Sequence, residues 1–110
     1  MYGAMHAVAA DFRGVGKCDI VAVSYLPEEN FPRRKALRLD AVIYLEQVGK
    51  GKFVRHSLES ITCEHFTCCA EDLYGDGKVH LVTGNFCLTR KQAISSAVTV
   101  WSPRPPAKNR

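Results

Sequence analysis

Residues 9–25 read AADFRGVGKCDIVAVSY, and residues 70–86 read AEDLYGDGKVHLVTGNF. The two stretches align without a gap at a constant offset of 61. Six of their 17 positions are identical: Ala9/Ala70, Asp11/Asp72, Gly14/Gly75, Gly16/Gly77, Lys17/Lys78 and Val21/Val82. Unrelated segments of this length match at about one position, so the chain carries an internal repeat. Phe12/Leu73, Ile20/Leu81 and Tyr25/Phe86 also agree in character. Each copy runs on to a second apolar stretch, AVIYL at 41–45 and AVTVW at 97–101, and the first copy reaches it through five more residues.

Working outward from the repeat, the apolar runs are short and are split by Gly, Pro, Asn and Asp. Helical periodicity is hard to find. Val (11), Ile (4) and Thr (5) favour strands. Strands are predicted near 7–10, 19–26, 40–47, 52–58, 66–71, 79–86 and 97–102. Val48-Gly49-Lys50-Gly51 reads as a turn, because two glycines supply positive φ between two alternating segments. Residues 27–38 hold two prolines and a cluster of charges and read as an exposed loop. Residues 103–110 are basic and proline-rich. Proline lacks the ladder donor, so they read as a tail. The expected fold class is all-β. A unit of strand, acidic-glycine turn, strand, loop, strand, turn, strand is one four-stranded antiparallel sheet, and such a sheet buries its faces only against neighbours.

The whole chain is 110 residues, 46% apolar and 24% charged, which suits a folded domain and excludes a disordered chain. Such a length buries roughly two-thirds of its unfolded surface, enough for one modest core. Fifteen basic against eleven acidic residues give a net charge of +4, too mild to argue for nucleic acid. No apolar run approaches the ~18 residues of a membrane helix, so no membrane span is expected. No Lys or Arg precedes Arg13, and His6 interrupts the first apolar run, so any export signal would lie upstream of this sequence.

The loop pattern resembles the FG-GAP, or VCBS-type, repeat of integrin-like β-propellers. That family carries an Asp-x-Asp-x-Asp-Gly-x-x-Asp loop before an apolar strand and a Gly-x-Gly-x-Phe turn further on. This chain has Asp72-x-x-Gly75-Asp76-Gly77 before Leu81-Val82, a degenerate Asp11-x-x-Gly14-x-Gly16-x-x-Asp19 before Ile20-Val21, and Gly49-Lys50-Gly51-Lys52-Phe53. The resemblance spans about residues 5–101. It implies a partial β-propeller of two consecutive four-stranded blades: a first blade at 1–60, a second, incomplete blade at 61–102, and the tail at 103–110. It also implies an extracellular or cell-envelope setting. Blades come in sets of about four to eight around a channel, so further blades would come from the parent chain or by oligomerisation.

In the family the loop aspartates hold calcium. Calcium takes six to eight oxygens, and alternate loop positions point inward around a glycine turn. Carried over position by position, the metal candidates are Asp72 and Asp76 in the second loop and Asp11 and Asp19 in the first. The second loop has Tyr74 at the third position and His80 at the ninth, and the first has Arg13 and Val15 at the third and fifth. Each loop thus keeps two of four acidic ligands. Two readings stay open. In one, calcium stabilises the repeat. In the other, the glycines keep the turn without metal, the aspartates bond backbone donors as in Asx-turns, and Lys17 and Lys78 replace part of the missing charge.

The remaining chemistry is sparse. Cys18, Cys63, Cys68, Cys69 and Cys87 make an odd count with no C-x-x-C knuckle, and adjacent Cys68 and Cys69 point to opposite faces of a strand. His65 and Cys68 sit ~10 Å apart along a strand, so their proximity in sequence does not make a Cys–His pair. No nucleophile elbow, phosphate loop or dinucleotide fingerprint occurs. Tyr44 and Trp101 read either as core packing between sheets or as a platform for sugar or peptide. The reading is a non-enzymatic binding or scaffold module whose loops, 27–38 and 88–96, face a protein or glycan partner.

Overall fold

In the computed structural model of the protein, the residues described are 1–27, 29–86 and 97–102. The 88–96 loop, Cys87 and the 103–110 tail lie outside them. The chain is all-β, as predicted. Among the described residues, seven strands form two antiparallel meanders. One sheet is β1 (Ala4–Ala10), β2 (Asp19–Ser24), β3 (Asp40–Gly49) and β4 (Lys52–Ser60), in that order. The other is β5 (His65–Glu71), β6 (His80–Asn85) and β7 (Val98–Trp101). No helix of the described residues is long and apolar enough to cross a membrane.

The offset of 61 holds strand by strand. Adding it to Ala4–Ala10 gives His65–Glu71, and adding it to Asp19–Ser24 gives His80–Asn85. Pairing follows: Ala7 faces Ala22 as Cys68 faces Thr83, and the bulge between Ala4 and His6 recurs between His65 and Thr67. Gly14 and Gly16 take φ of 67° and 83°, and Gly75 and Gly77 take 68° and 81°. The same turn is therefore built twice, by residues whose positive φ only glycine adopts without strain.

Each sheet has two distinct faces, because side chains alternate along a strand. On the first sheet Val8, Val21, Tyr44 and His56 are successive partners and share the face called front here. On the second sheet Ala70, Leu81 and Trp101 are successive partners on the opposite, back face. Front meets back. The core contains Val21, Val23, Val42, Cys68 and Leu81, with Val8, Phe12, Tyr44 and Trp101 packed around it. β2 lies mid-sheet and is buried along nearly its whole length, whereas β4 is exposed from Lys52 to Leu58. From the second sheet, His65 of β5 reaches β4 at Glu59.

β1 and β5 run beside each other at this junction. His6 Nδ1 lies 2.9 Å from Thr67 Oγ1 and accepts the Cys68 backbone N–H at 3.2 Å. His6 and Thr67 are themselves equivalent positions of the repeat. The linker 61–64 is stitched at both ends: Ile61 N–H donates to Leu39 O, Leu26 N–H to Cys63 O and Phe86 N–H to Glu64 O. Ile61 and Cys63 hold φ of 88° and 44°, which costs non-glycine residues backbone energy and persists because these bonds fix the linker. His65 then sits between two acceptors, Glu59 Oε1 at 2.8 Å and Asn85 Oδ1 at 2.5 Å. Burial pulls its pKa down, but the two acceptors together outweigh burial and hold it above the ordinary histidine value.

The loop between β2 and β3 differs from the expected exposed segment in one respect. Arg34 is 3% exposed, and its guanidinium donates to Leu26 O at 2.7 Å and to Glu64 Oε1 at 3.0 Å. One charged residue of a basic cluster has turned inward and pins the loop to the linker. Its charge is compensated by Glu64, which is what a buried guanidinium requires. Arg34→Met should therefore cost about 3 kcal/mol, since Glu64 and the Leu26 carbonyl lose their partner together. Thermal unfolding should show a fall in Tm of roughly 10 °C or more. A change under about 2 °C would mean that the loop is held by its turns alone.

Candidate functional site

The meander puts the turns β1–β2, β3–β4 and β5–β6 at one end of the molecule. The loop 25–39 and the linker 61–64 lie at the other. Both ends carry residues of interest.

At the turn end, Asp11 opens the first loop and Asp72 the second. Asp11 accepts the backbone N–H of Val15 at 2.9 Å and of Gly16 at 2.7 Å. Asp72 accepts those of Asp76 at 3.2 Å and Gly77 at 2.9 Å. These bonds hold both carboxyls below the usual carboxylate range, the Gly16 and Gly77 amides counting most. Asp76 accepts the Lys78 N–H at 3.0 Å. Three of the four acidic candidates thus close their own turns through backbone donors.

Asp19 is different. It is fully buried and takes two bonds from Arg13, Nε at 2.7 Å and Nη2 at 3.0 Å, plus the Gln47 N–H at 2.8 Å and the Tyr44 hydroxyl. The Arg13 fork pulls its pKa down to about 2, against the opposing push of burial, with Tyr44 and Gln47 adding to the pull. Burial and the neighbouring carboxylate push the Tyr44 hydroxyl well above the usual phenol range. Arg13 also reaches Glu46 at 3.2 Å and the Gln47 carbonyl at 3.1 Å. The cation that reaches Asp19 is therefore Arg13.

The same two positions touch in the second loop. Arg13 plus 61 is Tyr74, and Asp19 plus 61 is His80. Their rings meet edge to face with centroids 4.9 Å apart, and His80 is buried. A bidentate ion pair in one copy and an aromatic pair in the other join the third and ninth loop positions, where the family pattern places carboxylates. Among the described residues no group of three or more His, Cys, Asp or Glu converges on one point.

Between the sheets lies a cleft of about 640 Å³. Phe12, Leu58, Leu81 and Trp101 form apolar walls, with Arg13, Glu46 and His56 among the lining residues. Tyr44 and Trp101 both line it, and both use their polar atoms internally. The Tyr44 hydroxyl donates to Asp19, and the Trp101 indole N–H donates to Thr83 Oγ1 at 3.0 Å. Both also pack against the core. Trp101 pairs with Leu81, whose counterpart Ile20 pairs with Leu45, so Tyr44 and Trp101 are not equivalent positions.

At the loop end, Tyr25, Phe66 and Phe86 form a three-ring cluster with centroids 5.5–5.8 Å apart. Above the buried Arg34, the loop leaves Phe31, Arg33, Lys35, Leu37 and Arg38 exposed. Sequence reasoning located this loop but missed its anchor, since nothing in the spacing of Arg33, Arg34, Lys35 and Arg38 distinguishes the one that turns inward. Cys63 and Cys68 are buried, and burial pushes both thiols up. Cys18 and Cys69 are exposed. Compared with family models, with curated proteins and with solved structures, the chain matches none.

Two outcomes are expected. The Asp19 carboxyl is held below its ordinary value of 3.8, so its stabilisation is present above about pH 4 and is lost as pH falls toward 2. In urea titrations the stability gap between wild type and Asp19→Asn should narrow by roughly 2 kcal/mol across that window, and a constant gap would contradict the pairing. Millimolar calcium should leave Tm unchanged, because the third and ninth loop positions already close on each other. A calcium-dependent rise abolished by Asp76→Ala would instead place the ion in the second loop.

Proposed function

We propose that the chain is a non-enzymatic binding or scaffold module, part of an FG-GAP/VCBS-like β-propeller, that presents its 25–39 loop to an acidic protein or glycan. The observation that carries this reading is the buried Arg34 beneath an exposed basic and apolar surface. A loop pinned from below keeps its shape in the free state, so less ordering opposes binding. Phe31 and Leu37 offer apolar contact area, while Arg33, Lys35 and Arg38 offer charge-assisted donors to carboxylate or sulfate. Repeated sheets supply rigid support, and loops displayed on such supports are where recognition usually sits.

Support for a non-enzymatic role is chemical. The buried thiols are pushed toward the protonated form, and a thiol nucleophile needs the opposite. His65 is committed to Glu59 and Asn85.

The test is a sulfated-glycan array and an acidic-peptide library probed with wild type and with the Arg33→Gln/Lys35→Gln double variant. The expected result is retention by wild type, at least a tenfold loss in the variant, weakening with added salt, and unchanged Tm. Binding that ignores the loop change and is lost in His56→Ala would move the site to the cleft between the sheets.

A further inference from the structure

Among the described residues, none of the 25–39 loop lines the cleft between the sheets. Its volume of about 640 Å³ falls within the roughly 300–1,000 Å³ that small-molecule sites occupy. His56 and Leu58 line it from β4, and Trp101 lines it from β7. Phe12 and Tyr44 add an edge-to-face pair with centroids 5.9 Å apart, and the His56 ring lies 6.3 Å from Tyr44. The polar atoms of the two largest rings are turned elsewhere, the Tyr44 hydroxyl to Asp19 and the Trp101 indole N–H to Thr83. These walls offer a ligand apolar surface and π-electrons rather than hydrogen-bond donors.

The ionisable side chains that line the cleft meet at Glu46. Arg13 Nη1 lies 3.2 Å from one of its oxygens, and His56 Nε2 lies 3.0 Å from the other. Arg13 has little left for an incoming anion, because each of its three guanidinium nitrogens already has an acceptor. Nε and Nη2 bind Asp19, Nη2 also meets the Gln47 carbonyl, and Nη1 meets Glu46. One cation thus stands against two carboxylates, Asp19 and Glu46, and His56 adds charge only when protonated. The negative excess is presented by Glu46, which is 31% exposed, whereas Asp19 is fully buried.

We propose that the cleft is a binding site for a small organic amine, its apolar body seated between Phe12, Leu58 and Trp101 and its ammonium group on Glu46. A cation held beside aromatic rings gains from their quadrupoles as well as from the carboxylate, whereas an anion meets the excess negative charge. The proposal rests on the cleft alone and stands apart from what the 25–39 loop binds.

The chain has a single tryptophan and it lines the cleft, so its fluorescence reports occupancy. The test titrates the full chain at low salt with phenethylamine, with phenethyl alcohol as the uncharged analogue, and with hydrocinnamate as an anion on a similar tether. The expected result is a saturable change in emission with phenethylamine, an affinity about fivefold weaker for the alcohol, and no gain for hydrocinnamate over the alcohol. Glu46→Gln should bring the amine down to the level of the alcohol and leave the alcohol where it was, which a merely structural loss would not do. Glu46 also pairs with Arg13, so Leu58→Lys supplies a second variant. Leu58 is 46% exposed, so the fold should keep its circular dichroism with a lysine there. The added ammonium should weaken the amine and strengthen hydrocinnamate. No saturable response to phenethylamine, equal affinity for the alcohol, or an amine affinity that either folded variant leaves unchanged would overturn the proposal. The Arg33→Gln/Lys35→Gln variant should bind phenethylamine as wild type does, so failure of the loop and failure of the cleft are read separately.

Discussion

A β-sheet cannot bury its own face, and the structure depends on that constraint. Val21, Val23 and Val42 are buried because the second sheet lies against them with Cys68 and Leu81. β4, the outer strand of the first sheet, has its side chains from Lys52 to Leu58 exposed. In a repeat array each unit is stabilised by its own strands and by its neighbours. With two units there is one such junction, so the core, the linker and the His6–Thr67 contact all lie on the same seam.

The two copies have kept their backbone while changing what closes it. Gly14, Gly16, Gly75 and Gly77 hold nearly the same φ values, and Asp11 and Asp72 accept the same two amides along the turn. The third and ninth positions need only attract each other. A buried carboxylate against a guanidinium fork does this in one copy, and an edge-to-face ring pair, worth about 1 kcal/mol beyond its buried area, does it in the other. The first solution binds more of the molecule together, because Asp19 also receives Tyr44 and Gln47 from β3.

Much of this architecture was legible in the sequence because repetition makes register visible. A constant offset of 61 fixed strands, turns and pairing at once, and the strand bounds moved by only a few residues, as where β1 begins at Ala4 rather than at 7. What escaped is long-range and depends on one rotamer among several alike. Arg34 has the same neighbours in sequence as Arg33 and Lys35, yet it alone is buried. Arg13 stands where the loop pattern has a carboxylate, and its fork pairs with Asp19 six residues on. The Glu59–His65 pair spans six residues across a linker whose positive φ at Ile61 and Cys63 no composition rule predicts for those residue types.

The two ends of the molecule also differ in how they tolerate change. The turns at 11–18 and 72–79 are each eight residues long and match atom for atom in their amide bonds to the opening aspartate. From β2 to β3 the chain runs five residues longer than from β6 to β7, yet β3 and β7 pair with β2 and β6 in the same register. The length difference between the copies falls between their second and third strands. An ancestor that duplicated this unit could therefore diversify one rim by insertion and deletion while the other rim stayed metrically frozen, so that novelty accumulated on a single side without disturbing the strand pairing beneath it.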